Sequence, residues 1–481
     1  MTNTIIVDKY PLDEHQMKLI NCNKNAIVIA GAGSGKTLTI LGKVKYLVEH
    51  EKIQPENILL ISFTNASVND ITSRIKYNVN VLTFHKLAMH ILDKNNFTYT
   101  IAKPNLLKFI INEYLKTATL QEQKTILKFL KTADTYPKFL QSKDFQHFTN
   151  LIDTFINFYK TNNHNLNTMK NINFTKKEQK ILIIIFKIYS QYMREKKSTN
   201  TLDFDDLIIY ATEYATKTNL NFKYIIIDEF QDTSQLRLNL IKAIYNNENP
   251  KIIVVGDDWQ SIYHFSGCDL NIFLNFAEIF PDVATIKLVN TYRNSQELIN
   301  IAANFIQKNP NQITKKLISP KHEKNPFILI PYTNKKIIFK ETLNKILAKY
   351  TNPQTQDILI LGRNNYDILA YLDSEMEYND SYISYKNLKI RYLTIHKSKG
   401  LEADYTIIIN CDNNINGFPN KIENNKIIQK LNPLEKMPYA EERRLFYVAI
   451  TRCKHQTYLI YDKKNPSIFI KELKRILKKE R

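Results

Sequence analysis

The sequence contains little glycine, cysteine or tryptophan and no long apolar run; 9 Gly, 4 Cys and 1 Trp occur among its 481 residues. The cysteines show neither CxxC nor Cys/His ligand spacing, which favours a reducing compartment and gives no sign of structural zinc. No run of about 18 apolar residues could span a bilayer. The start, MTNTIIVDKY, lacks the pattern of a signal peptide. We therefore expect a cytoplasmic protein without a membrane partner.

Negative charge is also scarce. Lys and Arg outnumber Asp and Glu by 67 to 47, which gives a formal net charge of +20. Such a charge favours a polyanionic partner such as nucleic acid, although a lysine-rich soluble surface produces the same number. The length predicts two to four domains.

The few glycines are concentrated in residues 30–37, AGAGSGKT, between an apolar β-type stretch and a helical pattern. Small residues let backbone N–H groups surround a phosphate at a helix N-terminus. Lys36 is expected to reach the β and γ phosphates and Thr37 to ligate Mg²⁺. We call this segment the phosphate loop; it consists of Ala30, Gly31, Ala32, Gly33, Ser34, Gly35, Lys36 and Thr37.

Two adjacent carboxylates form a second candidate motif in KYIIIDEFQDTS, residues 223–234. Residues 224–227 are typical of a strand buried on both faces, so Asp228 and Glu229 should emerge at its carboxyl end, where ligands of α/β sheets bind. We expect Asp228 to hold Mg²⁺ and Glu229 to act as general base. An exposed acidic turn is the alternative. Together, the two motifs predict an ATPase without specifying which kind.

Further stretches occur in one order along the chain, including PLDEHQMKLI (11–20), VLTFHKLA (81–88), GDDWQSIYHFSG (256–267), NTYRNSQELI (290–299), LTIHKSKGLEADY (393–405) and EERRLFYVAITRCKH (441–455). With the two nucleotide motifs, this series resembles the UvrD/Rep-like superfamily 1 helicases. The resemblance implies an α/β fold with two RecA-like parallel-sheet lobes. The helical patterns of residues 95–200 predict a helical insertion in the first lobe. Arg293 and Thr394 are so close in the sequence that no room remains for the large insertion that UvrD and Rep have in the second lobe.

The resemblance also implies individual roles at the ATP site. Gln16 would read the adenine edge and Tyr292 would stack on its face. Gln260 would sense the γ-phosphate, and Arg293 and Arg452 would stabilise its charge from the second lobe. Glu402 would hold the ribose or the neighbouring phosphate-contact network.

A single-strand DNA groove is implied as well, lined by Phe63, Thr64, Thr83, His85, Tyr263, Phe265 and His396. Aromatic faces suit bases, and hydroxyl or imidazole groups suit phosphates, without dependence on sequence. Core packing is the alternative for the aromatic residues, and helix capping is the alternative for Thr83 and His85. Packing is favoured for Trp259.

Three further interpretations concern polar residues and chain organisation. We expect Arg443 and Arg444 to form a surface of ion pairs, and Asp203 either to cap a helix or to serve catalysis. Predicted domains are 1–94 with 201–288 for the first lobe, 95–200 for the helical insertion, and 289–481 for the second lobe. Within the last, a helix is expected near 364–373.

The sequence thus predicts an ATP- and Mg²⁺-dependent 3′ to 5′ DNA helicase that translocates on single-stranded DNA and acts on tailed duplex DNA. The alternative is a DNA-binding ATPase subunit of a multiprotein repair or antiphage defence assembly. Such an assembly would supply a nuclease or a repair or defence protein as partner.

Overall fold

The strands form one large sheet in each half of the chain, as seen in a computed structural model that describes residues 5–350, 357–423 and 425–480. Six strands of the first half are parallel in the order β10-β3-β9-β8-β4-β5. The strands of this half are β1 (Ile6–Val7), β2 (Tyr10–Pro11), β3 (Asn25–Ile29), β4 (Ile58–Ile61), β5 (Asn80–Leu82), β6 (Thr100–Ile101), β7 (Thr201–Leu202), β8 (Tyr224–Ile227), β9 (Lys251–Gly256) and β10 (Val283–Lys287).

Helices cover both faces of this sheet, which explains why the central strands β3, β4 and β8 are buried along their whole length. Before residue 95 these helices are α1 (Glu14–Ile20), α2 (Lys36–Glu49), α3 (Asn65–Arg74) and α4 (Phe84–Lys94). After residue 200 they are α11 (Phe204–Ala215), α12 (Gln235–Glu248), α13 (Leu270–Leu274) and α14 (Phe276–Ile279).

Residues 95–200, here called the insertion, are mainly helical and supply most of a separate hydrophobic core. Their helices are α5 (Leu106–Lys116), α6 (Leu120–Leu130), α7 (Tyr136–Leu140), α8 (Lys143–Thr161), α9 (Leu166–Lys170) and α10 (Lys176–Ser198). The two short strands β6 and β7 pair in parallel where the chain enters and leaves the insertion. The two ends of the insertion are therefore next to each other where they join the first lobe.

A buried ionic cluster fastens the insertion to α11. Lys160 of α8 contacts Asp203 at 2.5 Å and Asp206 at 2.9 Å, and Lys196 of α10 contacts Asp203 at 2.8 Å and also Asp206. Asp203 also accepts hydrogen bonds from the backbone N–H groups of Asp205 and Asp206. The predicted helix cap at Asp203 is therefore confirmed.

The second half contains a seven-stranded sheet in the order β11-β17-β16-β12-β15-β14-β13. Its first five strands are parallel, and its last two form an antiparallel edge. The strands are β11 (Phe327–Tyr332), β12 (Ile358–Gly362), β13 (Glu377–Asn379), β14 (Tyr382–Tyr385), β15 (Leu388–Thr394), β16 (Ala403–Ile408) and β17 (Cys453–Asp462). The helices are α15 (Gln296–Ile306), α16 (Lys335–Leu347), α17 (Lys426–Leu431), α18 (Ala440–Ile450) and α19 (Ile468–Lys479).

The predicted α/β fold with two parallel-sheet lobes is confirmed. The prediction of a helix near 364–373 is wrong. A single 3₁₀ turn, Asp367–Ala370, stands there, and the hairpin β13–β14 follows it. Asp367 accepts the backbone N–H of Asn364 at 2.8 Å, which favours a local turn over a continuing helix. None of the helices in the described ranges is long and apolar enough to cross a membrane.

Candidate ATP and DNA sites

The phosphate loop connects β3 to α2 and turns sharply at two glycines. Gly33 has φ 71° and Gly35 has φ 76°, a left-handed conformation that side chains disfavour. A Cβ on Gly33 would lie 2.5 Å from the Cβ of Arg293, so the second lobe also approaches the loop too closely for a larger residue. The loop leads into the N-terminus of a 14-residue helix, where an anion is favoured.

One buried hydroxyl group in the phosphate loop indicates whether a phosphate group could bind there. The Ser34 side chain is buried, and its Oγ has no hydrogen-bond partner among the described residues. Buried polar atoms are almost always paired in folded proteins. A phosphate oxygen would supply the missing partner, so the residues present fit a nucleotide phosphate.

Lys36 and Glu229 form an ion pair at the mouth of the loop. Burial would lower the pKa of Lys36, but Glu229, Asp228 and Asp257 outweigh it and hold that pKa above its ordinary value. Burial would likewise raise the pKa of Glu229, but Lys36 and Lys399 hold it well below its usual range. Both groups are therefore charged at neutral pH.

Asp228 and Glu229 follow β8 directly, as the sequence predicts. Burial, with the charge of Glu229 beside it, raises the pKa of Asp228 to about 6. Glu229 has φ 53°, and its Oε2 accepts a hydrogen bond from Gln231 Nε2 at 2.6 Å. The two neighbouring carboxylates thus differ in pKa, and that of Glu229 is the lower.

Two arginines of the second lobe lie at the boundary with the first. Arg452 is buried, and its NH2 donates to Gln260 Oε1 at 3.1 Å across the lobes. Arg293 Nε donates to Glu402 Oε2 at 2.8 Å. Burial, with Arg293 nearby, lowers the pKa of Arg452 to about 9, so the guanidinium still carries its charge at neutral pH.

Gln16, which is buried, and Tyr292 both contact the backbone of the phosphate loop. Gln16 Nε2 donates to the Ser34 carbonyl at 3.5 Å, and the Tyr292 backbone N–H donates to the Gly33 carbonyl at 2.9 Å. The Tyr292 ring is 45 % exposed, and its hydroxyl donates to Asp13 at 2.8 Å. An amide and an open aromatic face therefore stand together beside the loop.

Lys399 is a residue that the sequence reasoning missed. Its Nζ lies 2.5 Å from Asp232 Oδ2, 2.7 Å from the Gln260 carbonyl and 3.6 Å from Glu229 Oε2. The same Nζ lies 5.2 Å from the centre of the Tyr263 ring. The available signal was its place between His396 and Glu402 in LTIHKSKGLEADY, but only the fold brings it to the carboxylates of the first lobe.

Tyr263, Phe265 and His396 form one group, here called the aromatic cluster. The ring centres are 6.0 Å apart for Tyr263 and Phe265, 6.2 Å for Tyr263 and His396, and 5.4 Å for Phe265 and His396. The Phe265 side chain is 54 % exposed. Burial lowers the pKa of His396 to about 4, so its imidazole is neutral. The cluster offers an open aromatic face at the lobe boundary.

The other predicted DNA residues lie on the first lobe around the starts of α3 and α4. Thr64 and Thr83 cap these helices, since each hydroxyl accepts a hydrogen bond from the backbone N–H of the third residue of its helix. Phe63 packs edge-on against Phe84 at 5.5 Å, with the guanidinium of Arg237 at 5.1 Å from its ring. The capping alternative is thus observed for Thr83, and Phe63 is in part a packing residue.

His85 stands in the first turn of α4 and does not cap it. Its ring contacts that of Phe204 at 5.1 Å, and Phe204 is 58 % exposed. Burial lowers the pKa of His85 to about 4, so this imidazole is neutral as well. Phe204 is a second exposed ring that the sequence reasoning did not single out.

Trp259 and the arginine pair of α18 are all buried. Trp259 packs edge-on against Tyr447 at 5.3 Å, and its Nε1 donates to the Ile313 carbonyl at 3.0 Å, which confirms the packing prediction. The predicted surface location of Arg443 and Arg444 is wrong. Both arginines lie on a helix that is buried on all sides, where Glu472 and Glu435 pair with them.

Comparison with protein families agrees with this arrangement. The model of the UvrD/REP helicase N-terminal domain matches residues 12–281. The model of the UvrD-like helicase C-terminal domain matches residues 372–464. The chain belongs to the UvrD/REP helicase family.

Individual members of the family match over much of the chain. DNA helicase IV of Escherichia coli is 28 % identical over 98 % of this chain and 71 % of its own length. The ATP-dependent DNA helicase Rep of Buchnera aphidicola subsp. Acyrthosiphon pisum is 29 % identical over 82 % of this chain and 60 % of its own length. The PcrA helicase of Leuconostoc citreum is 28 % identical over 60 % of this chain and 38 % of its own length. The chain therefore spans between about two fifths and seven tenths of these relatives.

Proposed function

We propose that the chain is an ATP-driven motor that moves along single-stranded DNA in the 3′ to 5′ direction and separates duplex DNA ahead of it. One observation carries the proposal: Lys399 contacts Asp232 and Gln260 at the ATP site while its Nζ faces the Tyr263 ring of the aromatic cluster. A change in nucleotide state that moves one lobe must therefore act on the exposed aromatic face. The direction of movement rests on the family resemblance.

At the ATP site, we assign phosphate binding to the phosphate loop and to Lys36. An incoming triphosphate would compete with Glu229 for Lys36 and release Glu229 to accept a proton from the attacking water. Arg293 and Arg452 would stabilise the charge that develops on the γ-phosphate, and Gln260 of the first lobe, which accepts a hydrogen bond from Arg452, would sense that phosphate.

The adenosine would lie between Gln16 and Tyr292. The Gln16 amide supplies hydrogen bonds to the adenine edge, and the exposed Tyr292 ring supplies a stacking face. Glu402, which pairs with Arg293, would hold the ribose or the contacts around the phosphates.

Magnesium would bind at the same site. No group of three His, Cys, Asp or Glu side chains within the described ranges could hold a metal ion. Thr37 and Asp228 would therefore share the ion with phosphate oxygens and water, as Mg²⁺ prefers. When bound, Mg²⁺ would neutralise part of the negative charge of the phosphates.

The DNA strand would cross both lobes, with Phe63, Thr64, Thr83 and His85 on the first and Tyr263, Phe265 and His396 at the boundary. Bases would stack on the exposed rings, and the phosphates would meet the hydroxyl groups and the basic surface. Because these contacts use features common to all nucleotides, movement would be independent of sequence.

The test measures ATP hydrolysis with and without single-stranded DNA, and unwinding of duplexes that carry a 3′ or a 5′ tail. We expect DNA to stimulate hydrolysis, and unwinding from the 3′ tail only. Lys36→Ala should abolish hydrolysis and leave DNA binding largely intact. Absence of stimulation, or unwinding from the 5′ tail alone, would contradict the proposal. Stimulated hydrolysis without unwinding would point instead to the DNA-binding ATPase subunit of an assembly.

A further inference from the structure

Lys315, from the segment between α15 and β11, is buried in the first lobe. Its side chain is 4 % exposed, and its Nζ contacts Asp257 Oδ1 and lies 2.6 Å from Asp258 Oδ1. The same Nζ donates to the Ala30 carbonyl at 2.7 Å and lies 4.9 Å from the centre of the Trp259 ring. One ammonium group therefore joins the first residue of the phosphate loop to the residues that follow β9.

Asp257 connects this ammonium group to Gln260. Asp257 Oδ2 accepts from Gln260 Nε2 at 2.5 Å, and Asp257 Oδ1 accepts from the Trp259 backbone N–H at 3.1 Å. Gln260 then presents its Oε1 to Arg452. Because an amide has a donor end and an acceptor end, holding Nε2 on Asp257 decides that Oε1 faces Arg452.

Asp258 plays a different part from its neighbour. Its Oδ2 accepts from Gln312 Nε2 and from the Ile313 backbone N–H, each at 2.8 Å. Both donors belong to the segment that carries Lys315. Asp258 thus fastens that segment to the first lobe, whereas Asp257 contacts the γ-phosphate sensor Gln260.

We propose that Lys315 is a positioning residue for ATP hydrolysis, which acts by holding Asp257 so that Gln260 is oriented between the phosphate loop and Arg452. The inference rests on the proposed function, because it assigns Lys315 a task in the hydrolysis cycle. Its effect should fall on turnover and on its stimulation by DNA rather than on ATP binding, since Lys315 acts on Gln260 through Asp257 and bonds the phosphate loop only at the Ala30 carbonyl, its first residue.

The test compares Lys315→Met, Lys315→Arg and Lys316→Met by kcat and KM for ATP with saturating single-stranded DNA. Lys316 is the adjacent, exposed lysine and serves as a matched control. We expect Lys315→Met to lower kcat roughly 10- to 100-fold, the loss of one hydrogen bond to a charged group, with little change in KM. Lys315→Arg should restore most of kcat, and Lys316→Met should match the parent protein.

A second variant separates positioning from stability. Lys315→Met leaves two buried carboxylates without their cation, which can itself destabilise the fold. Lys315→Met with Asp258→Asn removes one of these charges and should recover the thermal midpoint without recovering kcat.

Full recovery of kcat in that double variant, or an unchanged kcat in Lys315→Met, would overturn the inference. If DNA fails to stimulate the parent protein, the proposed function fails by itself. In that case, kcat of the same variants is measured without DNA. An unchanged kcat in Lys315→Met, or full recovery of kcat in the double variant, would again overturn the positioning role.

Discussion

Glu229 adopts a backbone conformation that is uncommon for a residue with a side chain. Its φ of 53° lies in the left-handed region, which costs on the order of 1 kcal/mol for a residue other than glycine. The conformation directs the carboxylate toward Lys36 and Gln231 instead of continuing β8. A strained residue directly after Asp228 is what a positioned general base would require.

Phe265 offers a direct test of the aromatic cluster, because its side chain is 54 % exposed. Phe265→Ala should weaken binding of single-stranded DNA by about 1–3 kcal/mol, the value of one stacked base, and reduce DNA stimulation of hydrolysis. Affinity is measured by titration with a fluorescent oligonucleotide. Phe109→Ala, also at an exposed ring but on the insertion, is the control. Unchanged affinity for Phe265→Ala would make Phe265 a packing residue.

Glu441 predicts a dependence of stability on pH. Burial raises the pKa of Glu441 to about 7, and Glu442 adds to this, while Arg444, Arg363 and the His264 N–H oppose it. A carboxyl group with a raised pKa stabilises the fold when protonated. Its contribution is complete below about pH 4.5 and is lost as the pH rises through about 7.

Glu441→Gln should therefore raise the free energy of unfolding at about pH 8.5 by on the order of 1–3 kcal/mol and change it little at about pH 4.5. The measurement is the thermal midpoint at both pH values. Glu442→Gln is the control, because Glu442 pairs with Arg363 at 2.7 Å and its loss should not stabilise the protein. A Glu441→Gln gain that is equal at both pH values would contradict this account.

Individual residues were predictable from sequence where their neighbours along the chain determine their surroundings. The turn at Gly33 and Gly35, and the emergence of Asp228 at the end of β8, follow from local patterns. Lys399 and Lys315 were not predictable, because their partners lie in the other lobe. The prediction that Arg444 is at the surface failed for a related reason. Only the fold brings Glu435 beside it, and this carboxylate allows the arginine to be buried.

At the scale of elements, α17 is the least expected. This six-residue helix belongs to the second half of the chain, yet Ile427, Ile428 and Leu431 are part of the core of the insertion. Lys430 pairs with Glu178 at 2.6 Å at the same contact. The sequence around α17 is polar and rich in asparagine, so no periodic pattern indicated a docking helix.

Ile427→Ala should loosen this contact, because removing a buried isoleucine side chain costs about 2–5 kcal/mol locally. We expect faster amide exchange in α17 and in the facing part of α8, measured by hydrogen–deuterium exchange, with ATP affinity unchanged. Ile422→Ala, at a 65 % exposed position of the same connection, is the control. Equal exchange in both variants would mean that α17 contributes little to holding the insertion.

At the scale of the whole molecule, positive charge is unevenly distributed. The insertion contains 17 Lys and Arg against 7 Asp and Glu, whereas the whole chain contains 67 against 47. The net charge of the chain does not show on which surface of the folded insertion these extra positive charges lie. The fold assigns part of it to the exposed face of α10, where Lys176 and Lys180 stand one turn apart.

Replacing Lys176 and Lys180 by Gln tests whether this face meets the DNA backbone. If both lysines contact phosphates, the slope of log affinity against log salt concentration should fall by about 1.4 for single-stranded DNA. The matched control replaces Lys471 and Arg475, which have the same spacing on the exposed face of α19. An unchanged slope in the α10 variant would mean that its lysines face water only.

The pairing of β6 with β7 has a consequence for how this architecture could vary. Because the chain leaves the first lobe at Ile101 and returns at Thr201 on an adjacent parallel strand, the two covalent connections between the insertion and this lobe lie side by side. Helices exchanged between these two strands would leave the order of the six-stranded sheet and both nucleotide motifs unchanged, provided that cations remain in the places of Lys160 and Lys196 beside Asp203 and Asp206. The insertion is thus a part of the chain that could be exchanged as a unit, if its ion pairs with α11 and its contact with α17 are kept.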